Sequence, residues 1–202
     1  MVSVLAFDLG GVLFSDGTHA FLNYLHGAFG VDRERAGDLL DGDLGSRYRE
    51  GKLTRDEFWR AFRRTLGLAA REDDLEARWI DGYRLRQETR DLIRQLAPHY
   101  GVYYLSDNVA DRVAVLHRRY GFLNLFDGGV FSHEAGVRKP DARIYELLLE
   151  RTQVAAGQVL FVDDKEAALE PARRLGMRTV HYRDGPQLRR DLRRLGILRF
   201  SS

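Results

Sequence analysis

Five short runs of apolar, β-branched or aromatic residues, at 2–7 (VSVLAF), 102–105 (VYYL), 129–131 (GVF), 158–162 (QVLFV) and 177–182 (MRTVHY), most constrain what this chain can fold into. Several are bounded by Gly, Asp or Asn, and they read as buried strands. Between them apolar residues recur at helical spacing: Leu92, Ile93 and Leu96; Val113, Leu116 and Tyr120; Ile144, Leu147 and Leu148; Ala168, Ala172 and Leu175. Strand and helix therefore alternate. The alternation predicts an α/β chain with a Rossmann-like, doubly wound parallel sheet, helices on both faces and a crevice outside the carboxyl ends of the strands.

One region breaks the pattern. Residues 15–87 carry several amphipathic helical segments and no convincing strand, which predicts an all-helical cap inserted into an α/β core made of residues 1–14 and 88–202. Within it, Thr54 and Glu57 have capping-box spacing, and Phe58, Phe62 and Leu66 then share one helical face. Trp59, Phe58 and Phe62 read as the core of the cap.

With 202 residues and 44% apolar content the chain can bury a substantial core. No stretch approaches the roughly 20 apolar residues that a bilayer span needs. The N-terminus also lacks a signal-peptide pattern, so the expectation is a cytosolic protein without membrane contact. Cysteine is absent, which excludes disulfides, a thiol nucleophile and thiolate metal ligands. A net charge of +2, from 32 basic and 30 acidic residues spread along the chain, gives little support to nucleic-acid binding. The basic run 189–196 (RRDLRRLG) reads as the solvated face of a C-terminal helix.

Chemistry-bearing residues gather at the strand ends: Asp8 after the first run, Ser106 after the second, His133 and Glu134 beyond the third, Asp163 and Asp164 after the fourth. A single Asp in such a place is ordinarily a turn or a helix cap; several on one sheet edge point to a site. In 7–13 (FDLGGVL) the two glycines allow a tight turn after Asp8 and close approach to an anion, where a carboxylate can attack phosphorus. In 105–108 (LSDN) a hydroxyl and the amides at a helix start suit phosphoryl oxygens. Lysine occurs only at 52, 139 and 165, so Lys139 in VRKPD stands out as a cation able to neutralise both phosphate and Asp8. The adjacent acids of 161–168 (FVDDKEAA) repel one another unless a cation compensates, and Mg²⁺ takes oxygen ligands of that kind.

These four segments, with the cap between the first and second, the stretch GVRKPDARIY at 136–145 and the glycine of 172–177 (ARRLGM), resemble the haloacid dehalogenase superfamily over essentially the whole chain. FDLGGV with this cap and RKP segment is similar to the branch that contains alpha-glucose-1-phosphate phosphatases. The resemblance implies a Mg²⁺-dependent phosphatase acting on a small phosphorylated metabolite such as glucose 1-phosphate through an aspartyl-phosphate. Asp8 would be the nucleophile and a metal ligand, Ser106 and the amide of Asp107 would bind the phosphoryl group, and Lys139 would stabilise its charge. Gly10 through its carbonyl, Asp163 and Asp164 would complete the metal site.

Most phosphatases of the superfamily carry a second Asp two residues after the nucleophile as acid and base; here Gly10 stands there. Losing such a group typically costs about 10²- to 10⁴-fold in rate, which favours leaving groups that need little protonation. Asp16 at the cap entrance is a candidate replacement and His19 a weaker one; a cap-hinge role is the alternative for both. Arg47 and Tyr48, in 45–51 (GSRYREG) between expected helices, are candidate substrate contacts, with helix packing or surface exposure as the alternative. Two other functions compete. A 2-haloacid dehalogenase shares the nucleophile and lacks the second Asp but needs no metal, which leaves Asp163 and Asp164 unexplained. A phospho-ligand or protein-binding module of low activity would draw on Gly10 but would not require Asp8.

Overall fold

The computed structural model describes residues 1–198. In chain order the elements are β1 (Val4–Phe7), α1 (Gly17–Phe29), α2 (Arg33–Asp41), α3 (Asp43–Arg49), α4 (Arg55–Leu66), α5 (Glu72–Asp81), α6 (Gln87–Leu96), β2 (Gly101–Ser106), α7 (Ala110–Tyr120), β3 (Gly128–Phe131), the short α8 (Ser132–Ala135), α9 (Ala142–Thr152), β4 (Val159–Asp163), α10 (Glu166–Arg174), β5 (Arg178–His181) and α11 (Gly185–Arg194). All five expected strands form, in a single parallel sheet of order β3-β2-β1-β4-β5. β1 is central, and successive crossovers leave it on both sides, so the carboxyl ends of β1, β2 and β4 lie side by side.

Side-chain alternation along the strands divides the apolar interior in two. Leu5 and Phe7 of β1 with Leu160 and Val162 of β4 face a cluster that includes Leu92, Ile93, Leu116 and Leu188 of α6, α7 and α11. Val4, Ala6, Val159 and Phe161 face the other way, onto Ile144, Tyr145 and Leu148 of α9 and Leu169 and Ala172 of α10. The sheet is thus covered on both faces. The Arg-rich α11 buries Leu188 and Leu192 and turns Arg190, Arg193 and Arg194 to solvent.

Between β1 and α6 the regular elements are the helices α1 to α5, joined by turns and loops. The chain leaves the sheet layer after Phe14 and returns at Leu85, and the two crossings are tied together: Ser15 N donates to Arg84 O at 2.9 Å, and Arg86 N to Leu13 O at 2.8 Å. In α4, Thr54 and Glu57 form the expected capping box. Phe58, Trp59 and Phe62 are fully buried; Phe21 stacks on Phe62 at 6.2 Å and Trp79 on Phe58 at 5.9 Å, while both meet the Trp59 ring edge-on. Leu66 is only partly buried. Among the described residues no helix is long and apolar enough to cross a membrane.

Candidate active site

The backbone brings four of the expected residues to one point. Asp8 follows β1, its amide donating to Val162 O at 2.8 Å, so its position is set by the β1–β4 ladder. Asp163 ends β4 and is fully buried. Lys139 arrives from the loop before α9, and its ammonium, itself 6% exposed, lies 3.0 Å from Asp8 Oδ1 and 2.6 Å from Asp163 Oδ2 while donating to Leu105 O at 3.2 Å. Asp164 completes the group: one oxygen from each of Asp8, Asp163 and Asp164 falls within 4.8 Å of the others.

Three carboxylates against one ammonium leave a surplus of negative charge. Burial, reinforced by Asp163 and Asp164 and opposed by Lys139, pushes the Asp8 carboxyl up to about 7. Asp164 is raised for the same reasons, burial first and Asp163 second. Burial alone would lower Lys139, but the carboxylates of Asp163 and Asp8 hold it well above the ordinary amine range. Asp164 Oδ1 is buried and accepts no hydrogen bond. An all-oxygen donor set with surplus charge and an orphaned lone pair fits a hard divalent cation such as Mg²⁺.

Local sequence explains the closeness. Gly11 has φ +84°, and a Cβ there would stand 2.2 Å from Asp164 Oδ2, so only glycine lets the turn after Asp8 pass the second acidic loop. Asp107 positions the cation loop: its carboxylate accepts from Lys139 N at 3.0 Å and from Arg138 Nε at 3.4 Å. Asn108 N donates to Ser132 Oγ at 3.0 Å.

Above the carboxylates lies a cavity of about 300 Å³ between sheet edge and helical layer. Its floor includes Asp8, Gly10, Asp107, Lys139 and Asp164, and its roof includes Asp16, Thr18, His19, Asp41, Arg49 and Tyr83. Asp16 faces the cavity while capping α1, its Oδ1 accepting from His19 N at 3.0 Å. Ser106 and Asp163 lie at the ends of β2 and β4, buried and off the cavity wall. His133 and Glu134 do not reach the cavity either: His133 bonds Asn108 O through Nδ1 at 3.0 Å, and Glu134 lines a separate surface recess beside α9.

Two expected contacts, Arg47 and Tyr48, are not brought to the cavity wall. Residues 43–49 are helix α3 and not a connecting loop, and successive residues of a helix point about 100° apart. Arg47 therefore faces solvent, paired loosely with Asp43 at 3.8 Å. Tyr48 turns into the helical core and stacks on Phe58 with centroids 4.3 Å apart. The neighbouring Arg49, which the sequence did not single out, faces the cavity; it is 6% exposed and donates from Nη1 to Leu40 O at 2.6 Å.

Arg112 and Tyr83 were likewise not legible. Arg112, 2% exposed, lies 3.9 Å above the Trp79 ring and donates to Tyr83 Oη at 3.2 Å. In so arginine-rich a chain no pattern marks these arginines, and Tyr83 reads as one more aromatic at the end of α5.

A family model described as haloacid dehalogenase-like hydrolase matches residues 2–176. A sesquiterpene phosphatase from Aspergillus oryzae is 28% identical, across 94% of this chain and 94% of its own. A D-ribitol-5-phosphate phosphatase from Bacteroides thetaiotaomicron is 23% identical, across 95% of this chain and 97% of its own. Among solved structures, a haloacid dehalogenase family enzyme from Bacteroides thetaiotaomicron, in complex with magnesium and inorganic phosphate, superposes with a TM-score of 0.76. It is 22% identical and covers 93% of this chain and 99% of that one.

Proposed function

This chain belongs to the haloacid dehalogenase-like hydrolases, and from that premise we propose that it is a magnesium-dependent phosphatase of small, hydroxyl-rich phosphomonoesters, with glucose 1-phosphate the leading candidate. The observation that carries the reading is the meeting of Asp8, Lys139, Asp163 and Asp164 under one polar cavity. Residues 1–14 and 88–202 act as the catalytic core and residues 15–87 as the cap that selects the leaving group.

The residues divide the work. An Asp8 carboxylate oxygen attacks phosphorus, the ester bond breaks, and water later hydrolyses the aspartyl-phosphate. The amide of Asp107 holds the phosphoryl oxygens, with Ser106 buried next to it at the end of β2 as the second phosphate-binding group, and Lys139 stabilises their charge and opposes the rise in the Asp8 carboxyl. Asp8, Asp164 and the Gly10 carbonyl would hold the metal, with Asp163, buried against Lys139, as a direct or water-bridged partner. Magnesium, when bound, neutralises the surplus carboxylate charge and polarises the phosphoryl group.

Sugar or polyol esters are favoured over the terpenyl class by the roof, where Asp16, Thr18, His19 and Asp41 offer hydrogen-bonding groups and Leu22 is the main aliphatic surface. Dehalogenation is disfavoured because, with no cation, burial together with Asp163 and Asp164 raises the nucleophile's carboxyl to about 7 and leaves much of it protonated at neutrality. Phosphate release from a panel of sugar phosphates, including both anomers of glucose 1-phosphate, with and without magnesium, tests the reading alongside Asp8→Asn. Magnesium-dependent release lost in that variant supports it. Release from no ester, or halide release from 2-haloacids in chelator, would overturn it.

A further inference from the structure

Gly10 leaves this site without the acid that phosphatases of this kind carry, and the space over it is taken by an aromatic ring. A Cβ on Gly10 would lie 3.6 Å from Tyr83 Cε1, and one on Gly17 would fall 2.1 Å from Tyr83 Cδ2. The absence of a side chain at Gly17 lets the Tyr83 ring lie against the catalytic turn, within van der Waals reach of position 10, its hydroxyl two bonds from the carbon nearest that position.

Hydrogen-bond directions around that hydroxyl are set by groups that can only donate. Trp79 Nε1 donates to Thr18 Oγ1 at 3.3 Å, and Arg112 Nη1 donates to Tyr83 Oη at 3.2 Å. The two hydroxyls lie 3.2 Å apart. Between them they own two protons, and a single bond joins them. If Thr18 donates to Tyr83, the Tyr83 proton is left over; in the opposite sense the Thr18 proton is left over. Both residues line the cavity, and neither donates to any other group among the described residues, so one hydroxyl proton of the pair is left without a protein acceptor.

We propose that the Thr18–Tyr83 pair supplies the hydrogen bond to the leaving-group oxygen that the missing acid at Gly10 would have supplied. This rests on the phosphatase reading. As the Asp8 oxygen bonds to phosphorus, the phosphorus–ester oxygen bond breaks and its electron pair stays on the leaving oxygen. The spare hydroxyl stabilises that developing charge, and the leaving oxygen then takes its proton from water. Arg112, itself buried, strengthens the donor by fixing Tyr83 as an acceptor from its guanidinium.

Because either hydroxyl can carry the spare proton, the two are mutually redundant, which a merely structural role would not produce. The test compares kcat/KM for phenyl phosphate, whose leaving group needs the donor, with that for 4-nitrophenyl phosphate, whose leaving group does not. In Tyr83→Phe/Thr18→Val the 4-nitrophenyl to phenyl ratio should rise by at least about tenfold over the unmodified enzyme, with each single variant much closer to it. Tyr83→Phe/Thr18→Ser, which restores one hydroxyl, should bring the ratio back. A ratio unmoved in the double variant, or left equally high when Ser replaces Val at position 18, overturns the proposal. If the double variant does not fold, substituted phenyl phosphates on the unmodified enzyme decide: a weak dependence of kcat/KM on leaving-group acidity supports the donor, and a steep one overturns it. Release from neither ester in any form of the enzyme would remove the phosphatase reading, and this proposal with it.

Discussion

A Cβ placed on Gly11 would stand 2.2 Å from the Asp164 carboxylate. The nucleophile turn and the second acidic loop can therefore share one site only while position 11 has no side chain. Gly11→Ala should displace Asp164 and force a residue to φ +84°, at a cost of about 1–2 kcal/mol in stability. Turnover should fall about 10²-fold through misplacement of a metal ligand. Gly10→Ala, whose Cβ meets its nearest neighbour at 3.6 Å, should remain far closer to the parent. Thermal unfolding and phosphate release on the two variants check the contrast.

Metal and pH should be linked with a definite sign. The Asp8 carboxyl is raised in the metal-free site to about 7 from an unfolded value near that of an ordinary carboxylate. Its contribution to stability is thus fully present below about pH 4 and lost as pH rises through about 7. Asp164 shifts in the same direction. Magnesium binds the ionised carboxylates, so the rise in Tm on adding it should be larger at about pH 8 than at about pH 5. An equal rise at both would mean that the cation binds elsewhere.

Lys139 lies between two buried acids. Replacing it with Met removes their counter-charge, and breaking a buried pair typically costs about 3–5 kcal/mol. The loss should show in chemical denaturation with chelator present and shrink when magnesium is added. Turnover should fall by about 10²- to 10³-fold, the scale of losing one preorganised donor to the transition state.

The helical layer separates two neighbouring arginines. Arg49→Ala should raise KM for the best substrate about tenfold, the scale of one charge-assisted hydrogen bond. Arg47→Ala, whose side chain faces solvent, should leave KM within about twofold. Steady-state kinetics on both variants measure this, and the reverse order would place the roof of the cavity on the wrong face of α3.

Tyr48 stacks on Phe58, and its hydroxyl is buried without a hydrogen-bond partner. Tyr48→Phe removes an unsatisfied polar atom and keeps the ring, so stability should stay level or rise by up to about 1–3 kcal/mol, with kinetics unaltered. A loss of substrate affinity would restore Tyr48 to the site.

The sheet, the helical insertion and the acidic floor of the cavity were all legible in the residues. Strands buried on both faces leave continuous apolar runs, and three of the five runs here lead to residues of the proposed site: Asp8, Ser106 and Asp163 follow or end their strands where expected. The floor was readable because a parallel sheet makes strand ends converge regardless of what packs around them.

The roof was not readable, because on a helix the direction of a side chain depends on its rotation against its neighbours. The segment at 45–51 was found, yet the choice among Arg47, Tyr48 and Arg49 rested on how α3 packs. Linear patterning by itself determined which chemistry the chain can perform and where along it the reacting groups lie. Only the tertiary structure decided which cap residues face them: Arg49, Thr18 and Tyr83, with Arg112 behind. These come from α1, α3, α7 and the loop after α5, far apart in sequence, and meet only where the helical layer packs over the sheet.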